Sequence, residues 1–278
     1  MFKHIIQKFH RAKVPSRELV LISSFFKEAD DYSLYYEAEQ AIESVFDWYE
    51  YSDTPHSAHM NNGGYFPART SGSLELKKLS QCVCTLIQRN ALPVIISNSC
   101  QSFKACLTSF QTDKTGIINL NRKIDLASGI NLIPVQNYTE ITAEHINAEL
   151  LSLGVDENAV LPFESQAAMS SGVQWLSSQA FYSADTEKLH HTLDPYIQRH
   201  ERIALYIDLG SVVRKMIPTL YTSQFDSVLN VIQALITSEK LVLIHLTGDA
   251  ESLLFSRETK KILDKIRTNH LSEYLTGS

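Results

Sequence analysis

The chain has 278 residues, a formal net charge of −6, and 44% hydrophobic against 20% charged residues. This is ordinary globular composition on a chain long enough to bury a large core, and the acidic balance, without any Lys/Arg block, argues against nucleic acid or an anionic membrane as partner. No run approaches the roughly 20 apolar residues of a membrane helix, and the basic, interrupted start MFKHIIQKFHRAK lacks the apolar centre of a signal peptide, so a cytoplasmic location is expected.

The first strand is predicted at LVLIS, residues 19–23. Residues 51–73 are polar and rich in Gly, Asn and His, and read as a long loop of the kind that often carries function. Gly63 and Gly64 follow Asn61 and Asn62 there as a turn, with neither a preceding strand nor a Lys-Ser/Thr to make a phosphate cradle. A helix follows over 74–90, where Leu76, Leu79, Val83, Leu86 and Ile87 recur at three- and four-residue steps. Cys82 and Cys84 lie in it on different faces; with Cys100 and Cys106 they form no disulfide or zinc pattern and read as reduced thiols.

Strands are then expected at PVIIS (93–97), GIINL (116–120), IALYID (203–208) and LVLIHL (241–246), with NLIPV (131–135) a weaker candidate. All but the last are apolar nearly throughout, without polar alternation, which marks strands covered on both faces. Helices are expected over 224–237, carrying Phe225, Val228, Leu229, Ile232 and Leu235, and over 258–267. Strands alternating with helices predict an α/β fold: a three-layer α/β/α sandwich with a mainly parallel, doubly wound sheet, as one domain over 1–278.

Ligands of such sheets bind beyond the carboxyl ends of the strands. There PVII runs into Ser97, Asn98, Ser99, Cys100 and Gln101; GIINL ends in Asn121, Arg122, Lys123, Ile124 and Asp125; and a third strand ends in Tyr206, Ile207, Asp208, Leu209 and Gly210. In order and spacing these resemble three signatures of the arginase/ureohydrolase family: Gly-Gly-Asp-His-Ser, Asp-Ala-His-x-Asp and Ser-x-Asp-x-Asp. SSGVQWLSSQAF at 170–181 is similar to the Gly-x-Gln segment of formimidoylglutamase-like members, and LVLIHLTGD at 241–249 matches the last strand, placing His245 where the family has a substrate-binding Glu. The Asp-Pro that follows the third signature is absent; Val212 and Val213 stand nearby.

The resemblance implies an arginase-like fold, a small-molecule ligand at the strand ends, a homo-oligomer, and a site where two bridged Mn²⁺ ions cleave guanidino or formimino groups. Two close dications need several carboxylates and neutral imidazoles. Of the six ligand positions, only Asp125 and Asp208 keep carboxylates; the others are Cys100, Asn121, Lys123 and Gly210. An ammonium at a ligand position repels a cation, so Lys123, with Arg122, is expected to take the metals' electrostatic place beside the two aspartates. Alternatively, these aspartates are surviving ligands or plain strand-end caps.

The expectation is therefore a divergent, non-catalytic ureohydrolase-like protein with no catalytic residue and no cofactor, acting in binding or assembly. The alternative is an active ureohydrolase with an unusual manganese site. Cys100 as a nucleophile would need His245 on the same rim as its base. His190 and His191 read as a solvated helix face, and His56 and His59 in the long loop lack a carboxylate pair.

Overall fold

In a computed structural model of the chain, the described residues are 17–26, 40, 43–48, 60–68, 73–107, 114–124, 148–170, 172–183, 186–212, 221–248 and 257–275. The strands are β1 (Leu19–Ser24), β2 (Met60–Tyr65), β3 (Leu92–Ser97), β4 (Thr115–Leu120), β5 (Ala148–Val155), β6 (Gln174–Ser177), β7 (Arg202–Asp208) and β8 (Leu241–Thr247). The helices are α1 (Leu74–Gln88), α2 (Cys100–Leu107), α3 (Pro162–Ser170), α4 (Ser178–Phe181), α5 (Glu187–Arg199), α6 (Leu209–Val212), α7 (Tyr221–Thr237) and α8 (Arg257–Leu275).

One sheet holds all eight strands in the order β2-β1-β3-β8-β7-β4-β5-β6, and every pairing is parallel. The apolar runs explain its centre: β1, β3, β4 and β8 are buried at every position. Alternate residues of each strand point to opposite faces. In β7, Ile203, Leu205 and Ile207 join one core with Leu193 of α5, Val228 and Ile232 of α7 and Ile262 of α8. Ala204 and Tyr206 join the other, with Leu79 of α1, Phe103 of α2 and Ala168 of α3. The expected parallel α/β/α sandwich is therefore the observed architecture.

Three strands go beyond the sequence reading. Met60–Tyr65, expected inside a loop, forms edge strand β2 in register with β1, Leu19 opposite Met60. Among the described residues it has one neighbour strand, and it is only partly covered, so its Asn and Gly residues carry no apolar signature. β5 and β6 were likewise not anticipated. The strand expected at 131–135 lies outside the described residues.

The amino ends of β4 and β5 are closed by α5. The Tyr196 hydroxyl lies 2.6 Å from the Glu149 carbonyl and 3.0 Å from that of Ile117. Arg199 meets Glu149 at 2.9 Å, and the buried His200 ring sits with Nδ1 2.7 Å from the Tyr196 carbonyl. The Lys240 ammonium donates to the carbonyls of Ile197 and Gln198 at 2.8 and 3.0 Å, placing a cation at the helix carboxyl end, where the helix dipole favours it.

Gly116, the second residue of β4, lies beneath this cluster, and a Cβ there would lie 2.8 Å from ring atoms of both His200 and Tyr196. Gly116→Ala is expected to lower stability by about 1–3 kcal/mol through overpacking, measured as a drop in urea midpoint at unchanged m-value.

Candidate functional site

With all strands parallel, the segments after β1, β3, β8, β7, β4 and β5 share one edge of the sheet. Register makes this concrete at the centre: Asp208 at the end of β7 lies opposite Thr247 of β8, Thr247 opposite Ser97 of β3, and Ile207 opposite Leu120 of β4, one residue before Asn121. Topology thus brings Cys100, Asn121, Lys123, Asp208 and Gly210 to the same rim. Asp125 and residues 249 onward to 256 lie outside the described residues, as do His56 and His59.

Asp208 is almost wholly buried, and both its oxygens are engaged by the residues that follow it. The Gly210 N–H donates to Oδ1 at 3.1 Å, and the Ser211 hydroxyl to Oδ2 at 2.6 Å. This is the side-chain capping expected where a strand turns into a helix, here α6. Burial pushes the Asp208 carboxyl above its ordinary value; the Ser211 and Gly210 hydrogen bonds and the Lys123 charge oppose that rise. Ser211 Oγ also stands 2.9 Å from Asn121 Oδ1. One hydroxyl proton serves two oxygens there, and the charged carboxylate is the stronger acceptor. Asn121 Oδ1 in turn accepts the Lys123 N–H at 3.1 Å, and the Asn121 N–H donates to the Leu153 carbonyl at 3.2 Å.

The expected cationic replacement of the metals is not made at Asp208, while its Asp125 half lies outside the described residues. The Lys123 side chain is exposed, and no ion pair joins it to Asp208; its charge acts on that carboxylate only at longer range. Arg122 turns away to Asp156 beyond β5, at 2.6 Å. Flanking residues were read from position alone, and position does not give the direction of a long side chain. Of the three roles weighed for Asp208, the geometry is that of a cap, made with Ser211, a residue the sequence reading passed over. The Asp-x-x-Ser spacing at a strand end was the available signal.

His245 also differs from expectation. β8 runs on to Thr247, so the ring lies within the strand instead of on the rim. It is fully buried, stacked on Tyr206 (centroids 5.3 Å, planes 8° apart) and edge-on to Phe103 at 5.5 Å. Neither ring nitrogen has a hydrogen-bond partner among the described residues. Burial lowers its pKa to about 3, so it is neutral at physiological pH and a feeble base for Cys100. Cys100 is itself buried at the start of α2, in the apolar layer with Phe103 and Tyr206. His190 and His191 are exposed on α5, as expected.

Beside this rim, the ends of β1 and β3 carry a second polar cluster. Ser102 Oγ lies 2.7 Å from Ser24 Oγ and 3.1 Å from Ser97 Oγ, and the Asn98 side chain bonds both the N–H and the carbonyl of Phe26, at 2.7 and 2.9 Å. These groups satisfy one another and tie β1 to the β3–α2 turn. Among the described residues no group of three or more His, Cys, Asp or Glu side chains could hold a metal ion. Of the positions that resemble metal ligands, those among the described residues offer one carboxylate, a neutral amide, a thiol, a glycine and an exposed lysine, a poor donor set for two dications by themselves; Asp125 lies outside the described residues.

Solved structures identify the fold. The chain superimposes on formimidoylglutamase from Bacillus subtilis with a TM-score of 0.66 at 11% identity, covering 94% of this chain and 88% of that one. Agmatine ureohydrolase from Thermoplasma volcanium gives 0.63 at 11% identity, with 94% and 92% covered. Arginase from Bacillus subtilis gives 0.59 at 13%, with 94% and 99% covered. No family model matches the sequence, and no curated protein matches it significantly. The fold is therefore that of the arginase-like ureohydrolases, over nearly the full length of both partners in each comparison.

Two predictions follow from the buried groups. Ser211→Ala removes the shorter of the hydrogen bonds to Asp208 and is expected to cost about 1–3 kcal/mol at neutral pH, less in acid where the carboxyl is protonated; denaturant titration at both pH values checks this. For His245, the unfolded chain takes up a proton near 6.5 while the folded chain resists until about 3. Its stabilising effect is complete above pH 6.5 and is lost as pH falls toward 3, by about 1.4 kcal/mol per unit. His245→Phe should flatten the fall in stability between pH 6.5 and 4; equal slopes for parent and variant would refute the assignment.

Proposed function

We propose that this chain is a divergent relative of the ureohydrolases whose dinuclear metal site has been lost, and that it acts in binding or assembly instead of hydrolysis. The observation that carries the reading is the state of Asp208, the one described carboxylate among the six positions that resemble metal ligands: its two oxygens are satisfied by Gly210 and Ser211. Around it, Asn121 offers a neutral oxygen already shared with Ser211 and the Lys123 N–H, and Gly210 has no side chain. Kinship is supported by the order of the strand-end segments together with the fold. A formiminoglutamase of the same fold, from Trypanosoma cruzi, was solved with Mn²⁺; without a metal-bound hydroxide, this rim offers no strong nucleophile at neutral pH. The ligand it would hold is a small molecule at the strand ends.

The purified full chain, loaded with Mn²⁺ and desalted, is expected to retain the metal well below stoichiometry and to release neither urea nor formamide from arginine, agmatine or formiminoglutamate. Stoichiometric Mn²⁺ with metal-dependent product release, abolished in Asp208→Ala, would instead establish an active hydrolase cleaving a linear C–N bond.

A further inference from the structure

We infer that the β6 edge of the sheet, with α3 beside it, is a two-fold interface between copies of this chain. The starting point is an absence of charge. Residues 165–184 contain no Asp, Glu, Lys, Arg or His, the longest such run in the sequence. With 20% of the chain charged, twenty residues would carry about four charges. The run covers most of α3, all of β6 and all of α4.

The run exposes Met169, 61% open, and just ahead of it, on the other side of Glu164, Leu161 and Phe163 are 52% and 53% exposed; these are three of the five large apolar side chains left open among the described residues. α3 turns its small Ala168 inward, where it is fully buried, and Phe163 and Met169 outward. Three of its polar side chains bond its own backbone: Glu164 accepts the Leu161 N–H at 2.8 Å, Ser165 donates to the Pro162 carbonyl at 2.9 Å, and Ser170 to that of Gln166 at 2.8 Å. Gln166 and Ser170, exposed on this helix, are uncharged. Next to it, β6 ends the sheet, paired with β5 on one side and with no strand on the other among the described residues. Edge strands of soluble proteins are ordinarily guarded by charge or proline against this kind of self-pairing; β6, QWLS, has neither.

Charge selects the occupant. In a two-fold contact each patch meets its own copy, so any net charge it carried would face the same net charge. A chain of net charge −6 repels itself elsewhere; the uncharged run is where two copies meet without that repulsion. A two-fold axis normal to the sheet sets β6 antiparallel to the partner's β6, extending the sheet across both copies. It also leaves both α3 helices on the same face, flanking the seam, where Phe163 and Met169 become buried. This inference is independent of the fate of the metal site.

Sedimentation equilibrium of the full chain over a range of concentrations is the test, with three exposed positions altered. The parent should be a dimer. Gln174→Lys, which restores a guard to the edge strand, and Met169→Lys should each raise the dimer Kd at least about tenfold with an unchanged far-UV spectrum. Leu74→Lys, 60% exposed on α1, which joins β2 and β3 toward the opposite edge of the sheet, should leave it unaltered. Amide exchange at residues 174–177 should slow in the parent and not in the two variants. A parent that stays monomeric to roughly 100 μM, a trimer, or a dimer indifferent to both lysines would overturn the proposal.

Discussion

Everything in this molecule depends on covering a parallel sheet from both sides. A strand with helices above and below has no water to solvate a polar side chain, so β1, β3, β4, β7 and β8 are apolar almost to their last residue. Some of the few polar groups admitted are bonded locally: Asn119 donates to Ser152 at 3.2 Å, and Ser152 to the Ile124 carbonyl at 2.7 Å; His245 is instead stacked among aromatic rings. Polar chemistry is thereby displaced to the ends of the strands. The carboxyl rim and the Tyr196–Glu149–Arg199–His200 cluster at the amino side are two outcomes of one constraint.

At the rim, the chain has solved an electrostatic problem in its own way. A buried carboxylate without a counter-ion is unfavourable unless its oxygens accept hydrogen bonds. Asp208 obtains them from the backbone and hydroxyl immediately downstream, which stiffens the β7–α6 turn. The serine cluster beneath Phe66 and Phe26 works similarly, with hydroxyls answering hydroxyls and the Ser24 hydroxyl donating to the Phe66 carbonyl at 3.2 Å. Both arrangements are self-contained, and neither depends on a surface lysine or arginine that solvent would screen.

What could be read in the sequence follows from the same physics. The central strands were legible because two-sided burial leaves an unbroken apolar run. β5, AELLSLGV, hides behind Glu149, Ser152 and Gly154: the glutamate lies at the partly exposed start, the serine is locally bonded, and Gly154 has a positive φ of 86°. β6 is four residues long and partly exposed, and β2 is built on Asn and Gly at an open edge. At the site, order and spacing sufficed to put Cys100, Asn121, Lys123, Asp208 and Gly210 on one rim. They could not say that Lys123 points outward, that Arg122 reaches Asp156, or that β8 continues past His245 and draws its ring into the core.

The strand order has a consequence for how the chain is made. β8, last of the strands in sequence, occupies the middle of the sheet between β3 and β7. During synthesis the ribosome delivers β2-β1-β3 and β7-β4-β5-β6 as two blocks that share no strand pairing until residues 241–247 emerge. Each block then waits with a long apolar edge unpaired, a state prone to aggregation and to capture by chaperones. Insertion of β8 closes both edges at once, so folding of this sheet is completed from its centre, by the strand that arrives last.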